Sequence, residues 1–301
     1  MPERKRAIAL GFFDGVHAGH GELLKKTRER AEEIGGIASV LSFDVHPDTL
    51  VFNTDVPLIN SAIGRKELIK RCYGIENVIF IHFNRHVMCM PWREFIDSLI
   101  TEMNVGWIVI GHDFSCGYRG EGRADRIKEY CAGRGVGCDV IPALSIDGIV
   151  VSSTYIRKLI AEGNIERANR FLGHPHTLSD TVHSGYHLGT RLGTPTINMY
   201  FPEGVLVPKY GVYAAKVYLD HGESYISVTN VGIRPTVGDN NRVNVESHLL
   251  DYSGNLYGRQ ARVEFYSYIR QEKKFDSFDA LSEQIKADGE TARKYFDKLN
   301  N

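Results

Sequence analysis

GFFDGVHAGH, residues Gly11 to His20, is the stretch whose reading decides the fold of the first half of this chain. The apolar run Ala7 to Leu10 leads into it as the end of a buried strand. Leu23, Leu24, Thr27, Ala31 and Ile34 then follow at helical spacing until Gly35 and Gly36 stop them. Between strand and helix lie a turn bearing Gly11, Asp14 and Gly15, and two histidines three positions apart. A helix start presents unpaired N–H groups and the positive end of the dipole, and glycines let the backbone come close, so such a turn suits a phosphate. His17 and His20, one helical turn apart, are placed to donate to the same phosphate oxygens. A zinc pair is the competing reading; it is disfavoured because the cysteines show no spacing that would complete a tetrahedral site.

With 301 residues, 43% hydrophobic and 24% charged, the chain has room for one large domain or two medium ones. The formal net charge of −1 gives no general pull toward nucleic acid or an anionic membrane, so phosphate recognition has to be local. Apolar runs fall far short of a membrane span, and the start, MPERKRAIALGFF, has no signal-peptide hydrophobic region; cytoplasmic residence is expected. The five cysteines, Cys72, Cys89, Cys116, Cys131 and Cys138, contain no CxxC and read as reduced thiols.

Outward from the glycine turn, strand and helix alternate. Ile37 to Phe43 reads as a buried strand ending in DVHPD, where Pro47 stops it, and Ala62 to Cys72 as a helix. Asn77 to Phe83 is a strand, Pro91 to Met103 a helix, and Val105 to Ile110 a strand running into GHDFSCG. A helix around Ala124 to Cys131 and a strand over Cys138 to Leu144 complete a mostly parallel sheet with helices on both faces. Ligands of such sheets bind beyond the carboxyl ends of the strands, where GFFDGVHAGH, SFDVHP and GHDFSCGYRGEG all emerge. After an Asp147-Gly148 turn, VSSTYIR (Val151 to Arg157) starts a helix with Ser152 or Ser153 as N-cap, and its hydroxyls and Arg157 suit a second anionic group.

The pattern changes near Gly173. From His176 on, short β-rich runs take over: Thr181 to His183, Thr196 to Tyr200, Val212 to Leu219, Ser224 to Val231, Val243 to Leu250 and Ala261 to Ile269. They predict an antiparallel barrel or sandwich closed by an amphipathic helix, Asp279 to Leu299, with Leu281, Ile285, Ala292 and Phe296 inward and Gly289 as a break or kink. In GTRLGTPTIN, Thr196 and Asn198 share a strand face and offer two neutral oxygens to a magnesium carried by nucleotide phosphates. Glu246 and His248 share a face of their strand; an inward carboxylate in a small barrel is costly, which makes Glu246 a general-base candidate.

The assembled residues closely resemble one family, the bifunctional bacterial riboflavin kinase/FMN adenylyltransferases, also called FAD synthetases. The resemblance rests on GFFDGVHAGH, SFDVHP, GHDFSCG and VSSTYIR, then on GTRLGTPTIN, PKYGVY, NVGIRPTV, VESHLLD, LYG and IRQEKKF. It implies an α/β Rossmann-like nucleotidyltransferase domain, residues 1–175, followed by a six-stranded antiparallel riboflavin kinase β-barrel with a C-terminal helix, residues 176–301. It implies ATP contacts from Gly11, Phe12, Asp14, Gly15, His17, His20, Ser153, Thr154 and Arg157 in the first module, and from Gly189, Gly193 and Thr196 in the second. By the same likeness Phe43, His46, Asp113 and Phe114 border the flavin of the first module, Glu246 and Arg270 that of the second, and Thr196 and Asn198 hold Mg2+. His17, His20 and Arg157 would act in adenylyl transfer and Glu246 in phosphorylation. Riboflavin, FMN and ATP are then substrates and FAD the product, with no nucleic acid or membrane partner; a homo-oligomer is compatible. Departures from the family pattern stand at Val45, Cys116, Tyr155, Ser179, Thr190, Arg191 and Thr194. Two readings compete with a bifunctional enzyme: a chain with only the adenylyltransferase active, and a non-catalytic flavin binder.

Overall fold

The computed structural model describes residues 4–184, 196–233 and 243–300, which form two compact units divided between Ser153 and Thr154. The first unit is a five-stranded parallel sheet of β1 (Arg6–Leu10), β2 (Ile37–Phe43), β3 (Asn77–Ile81), β4 (Val105–Gly111) and β7 (Gly137–Ile141), in the order β3-β2-β1-β4-β7. Two short hairpins flank it, β5 (Ser115–Cys116) with β6 (Gly122–Arg123) and β8 (Ser145–Ile146) with β9 (Ile149–Val150). The second hairpin turns at Asp147 and Gly148, both at positive φ, as the Asp-Gly pair predicts.

Both faces of the sheet are covered, which is why its central strands read as continuous apolar runs. Ile8, Leu10, Leu41, Ile108 and Ile110 pack against α5 (Trp92–Glu102) and α6 (Ala124–Gly133) through Phe95, Ile96, Leu99, Ile127 and Cys131. Ala9, Val40 and Val109 pack on the other side against α1 (Ala18–Glu33) and α3 (Ala62–Tyr73) through Leu23, Leu24, Leu68 and Ile69. Because β2 and β4 flank β1 on opposite sides, the chain reverses direction across the sheet there, and the ligand crevice of such a fold lies beyond the ends of β1 and β4. The strand ends at Phe43 as expected, but one expectation is corrected: DVHPD is not all loop, because Pro47 opens a short helix, α2 (Pro47–Phe52), at whose first turn its missing N–H costs nothing. A further short helix, α4 (Arg85–Cys89), was not foreseen.

The second unit begins with α7, a helix over Ser153–Glu162, and α8 (Ile165–Leu172), whose Asn169 donates to the Phe265 carbonyl and accepts from the His176 amide. Six antiparallel strands follow: β10 (His176–Thr181), β11 (Thr196–Tyr200), β12 (Gly211–Leu219), β13 (Ser224–Ile233), β14 (Val243–Leu249) and β15 (Gln260–Arg270). They run in the order β10-β15-β12-β13-β14-β11, and a bridge between His183 and Asn198 brings the two edges together. The closing helix, α9 (Phe278–Asn300), continues through Gly289 without a break. It buries Ala292 and Phe296 against Val212, Ala214 and Val228, while Leu281 and Ile285 stay half-buried.

Candidate active sites

In the first unit, Gly11 leaves β1 with its amide bonded to the Leu41 carbonyl, 3.2 Å, and the chain enters a tight 3₁₀ turn over Asp14–Val16. Phe13, Gly15 and Val16 all lie at positive φ, 59°, 77° and 44°. For a β-branched residue such as Val16 this conformation is strained, and it is held by complete burial of Phe13 and Val16 in the α1–α3 core. The Asp14 carboxylate accepts from the amides of Ile59, 2.8 Å, and Asn60, 3.3 Å, and its carbonyl accepts from the Ser153 hydroxyl, 3.0 Å. Two predicted site residues thus also tie neighbouring segments to the loop.

His17 is the N-cap of α1: its Nδ1 accepts from the His20 amide at 3.2 Å. In a neutral imidazole that bond puts the proton on Nε2, which makes Nε2 the donor of the ring. The His20 ring stacks on His17 with centroids 3.5 Å apart and planes 10° from parallel. Burial, then the neighbouring His17 and Arg65, hold the His20 pKa well below its usual value, and its Nδ1 is buried without a hydrogen-bond partner. Both rings therefore sit on the first turn of α1, with His20 neutral when no anion is present.

The flavin-side residues predicted from the sequence also converge on strand ends. Phe43 and Phe114 pack against the core on the α5–α6 face, Phe43 meets Phe83 edge-on at 5.1 Å, and exposed Asp113 lies just beyond β4. His46 caps α2 through its Nδ1, which accepts from the Asp48 amide, and meets the Phe12 ring at 4.5 Å. Of the family departures, Cys116 is packed into this core and burial pushes its thiol up to about 12. Sequence reading missed Arg65. It is fully buried and bonds the carbonyls of Phe12 and Phe43 and the Ser42 hydroxyl. Its signal was an arginine at core-face spacing, i, i+3, i+4 with Leu68 and Ile69.

Thr154 and Arg157 lie on the first turns of α7 in the second unit, whose Ile156, Leu159 and Ile160 are buried. Tyr155, at a departure position, packs edge-on against Phe171 at 5.0 Å.

In the barrel, strand register gathers the predicted residues. Asn198 pairs with Glu246 and Thr196 with His248, while Glu246 also pairs with Asn230 and His248 with Val228. Directly paired residues share a face, so Thr196, Asn198, Glu246 and His248 stand side by side with Asn230 and Val228. This corrects the inward placement of Glu246: Val245, Ser247 and Leu249 form the buried inner row, and Glu246 is half-buried on the outer face, the one α9 packs against at Val228. Asn198 Oδ1 accepts from Asn244 Nδ2 at 3.1 Å. Glu272, also missed from the sequence, accepts from Asn230 Nδ2 at 2.8 Å, close over Gly232, where a Cβ would lie 2.2 Å from its carboxylate. Arg270 holds buried Asp288 of α9 through Nε, 3.0 Å, and Nη2, 2.7 Å. Gly189 and Gly193 lie outside the described residues, as do the departures Thr190, Arg191 and Thr194.

Comparison with known proteins matches both units. A family model described as FAD synthetase matches residues 1–155, and one described as riboflavin kinase matches residues 172–296. A bifunctional riboflavin kinase/FMN adenylyltransferase of Listeria monocytogenes is 32% identical over 298 residues, covering 98% of this chain and 94% of that protein. Those of Pseudomonas fluorescens and Bacillus subtilis are 34% and 33% identical, each with 94% of its length covered. A crystal structure described as a macrolide-efflux protein from Streptococcus pneumoniae superposes with a TM-score of 0.84 at 28% identity, covering 97% of this chain and 95% of that one. Among the described residues of the present chain no helix is long and apolar enough to cross a membrane.

Proposed function

The chain belongs to the bifunctional riboflavin kinase/FMN adenylyltransferase family, and on that premise we propose how its own residues divide the two reactions. It is a transferase of phosphorus-containing groups that takes riboflavin, FMN and ATP as substrates. The competing readings, a single active module and a non-catalytic flavin binder, gain no support from relatives that match both halves.

In the module of residues 1–175, an FMN phosphate oxygen attacks the α-phosphorus of ATP in line and pyrophosphate leaves, giving FAD. Protein groups contribute positioning and charge stabilisation. The Nε2–H of His17, fixed by the cap bond at Nδ1, donates to the phosphates, and their charge raises the proton affinity of His20 from its depressed level. Gly11, Phe12, Asp14 and Gly15 shape the loop, Ser153 holds the departing pyrophosphate, and Phe43, His46, Asp113 and Phe114 border the flavin.

In the module of residues 176–301, Glu246 accepts the proton of the ribityl 5′-hydroxyl as its oxygen takes the γ-phosphoryl group and ADP leaves. Arg270 borders the flavin, and Gly189 and Gly193 the nucleotide. Mg2+ fits Thr196 and Asn198: both offer neutral oxygens on one strand face, and Asn198 Oδ1 keeps a lone pair beyond the one Asn244 occupies. When bound there it would neutralise charge on the ATP phosphates.

The observation that supports this division best is the register of β11 and β14, which sets Asn198 directly against Glu246 while the stacked histidines occupy the other unit. Incubation with riboflavin and Mg-ATP, followed by chromatography, is expected to yield FMN and then FAD, and FMN as the starting flavin should yield FAD alone. Absence of both products would overturn the reading. Cytoplasmic residence is proposed from the family, and cell fractionation tests it.

A further inference from the structure

Among the described residues Arg65 is the largest of the fully buried side chains, with no exposed surface. It stands one turn into α3 and reaches beneath the glycine loop. Its Nη1 donates to the Phe12 carbonyl and, at 2.9 Å, to the Ser42 hydroxyl; its Nη2 donates to the Phe43 carbonyl at 2.8 Å. Ser42 itself donates to the Phe12 carbonyl at 2.8 Å, so a planar fork and one hydroxyl lock the exit of β1 to the end of β2. The guanidinium also lies 4.1 Å from the centroid of the Phe12 ring, whose other neighbour is His46.

All three hydrogen-bond acceptors are neutral, and among the described residues the buried Nε finds no partner. Asp14 and Asp44 supply only longer-range attraction, and their carboxylates already accept from the amides of Ile59, Asn60, Val45 and Phe83. Burial pulls the Arg65 pKa down to about 10, which still leaves the side chain protonated at neutral pH. A buried cation without an ion-pair partner costs several kcal/mol of desolvation. Holding two carbonyls does not require that cost, since a buried amide could do it. A fixed positive charge at the mouth of a phosphate site has a second use: it favours an incoming polyanion in a region poor in water.

We propose that Arg65 is a positioning residue for adenylyl transfer, fixing the phosphate loop at Phe12 against the flavin-side loop at Phe43 while its charge, offset only at longer range by Asp14 and Asp44, draws in the nucleotide phosphates. This rests on the reading of GFFDGVHAGH as the adenylyl-transfer loop. Two substitutions separate the two contributions. Arg65→Lys keeps the charge and loses the planar fork, so kcat for FAD formation falls about tenfold with KM for ATP within about threefold of wild type. Arg65→Gln keeps donors for the carbonyls and loses the charge, so KM for ATP rises about tenfold and kcat falls less.

Hydrogen-exchange protection of β1, β2 and α3 in the same preparations reports how much of the first unit is folded, and riboflavin phosphorylation, expected within about twofold of wild type, reports the second. A merely structural role lowers the folded fraction, which scales kcat and leaves KM where it was. That pattern in both variants, or wild-type constants in both, overturns the proposal. Should Arg65→Gln not fold, Arg65→Lys decides alone with kcat counted per folded first unit, and a wild-type kcat on that count overturns it. His20→Ala is run beside them. Survival of FAD formation in His20→Ala defeats the reading of the loop itself, whereas its loss together with wild-type constants in both Arg65 variants defeats only the role of Arg65.

Discussion

The imidazoles of His17 and His20 lie stacked, 3.5 Å between ring centroids and 10° from parallel, because Nδ1 of the first caps the helix at the amide of the second. One bond thus serves folding and chemistry together, and the two roles separate by substitution. Asn is as good an N-cap as the residues most favoured there, so His17→Asn should leave stability within about 0.5 kcal/mol of wild type while FAD formation falls about a hundredfold. His17→Ala should lose the same activity and about 1 kcal/mol in addition. Urea unfolding beside an adenylyltransferase assay reads both effects.

Glu246 stands against Asn198 in the barrel, in a different compact unit from the histidines. Glu246→Gln removes the proton acceptor and keeps the shape. FMN formation should fall at least about a hundredfold while FAD formation from supplied FMN stays within about twofold. Parallel loss of both activities would contradict the assignment of two sites.

His176 sits buried against the rings of Phe201 and Phe265, neither ring nitrogen finds a hydrogen-bond partner among the described residues, and burial pulls its pKa down to about 3. The unfolded chain takes up this proton near pH 6.5 and the folded chain only near 3, so its contribution is intact above pH 6.5 and is lost as pH falls between those values. Between pH 6.5 and 5 the second unit should lose about 2 kcal/mol from this group. Denaturant unfolding followed by kinase activity at several pH values measures it, and His176→Phe should flatten the acid side.

Arg270 grips Asp288 through two nitrogens, joining the end of β15 to α9. Asp288→Asn leaves a partly buried guanidinium without its counter-charge and should cost the second unit about 3 kcal/mol. Hydrogen exchange in α9 and β15 should accelerate while the parallel sheet of the first unit keeps its protection.

The legible parts of this chain are those where local pattern and tertiary role coincide. β2 and β11 begin and end at the expected residues, because a strand buried on both faces or on alternate positions carries its period in its composition. The short helix at Pro47 is not legible in DVHPD, since proline stops a strand and starts a helix with equal ease; α2 buries none of its residues, and the His46 cap on the Asp48 amide holds its start. Glu246 was placed on the wrong side of its strand. A period of two says which residues share a face but not which face is inside, and here Val245, Ser247 and Leu249 take the interior.

By itself the sequence determined the alternation of elements, the change from α/β to antiparallel β near Gly173, the histidine pair at a helix start and the paired donors Thr196 and Asn198. These are local facts, set by residue spacing and by the conformational needs of glycine turns and helix ends. Only the tertiary structure decided that Arg65 lies beneath the glycine loop and that Asn198 stands opposite Glu246. Those relationships join Arg65 to Phe12 across 53 positions and Asn198 to Glu246 across a strand pairing, and depend on register and burial that no window of sequence contains.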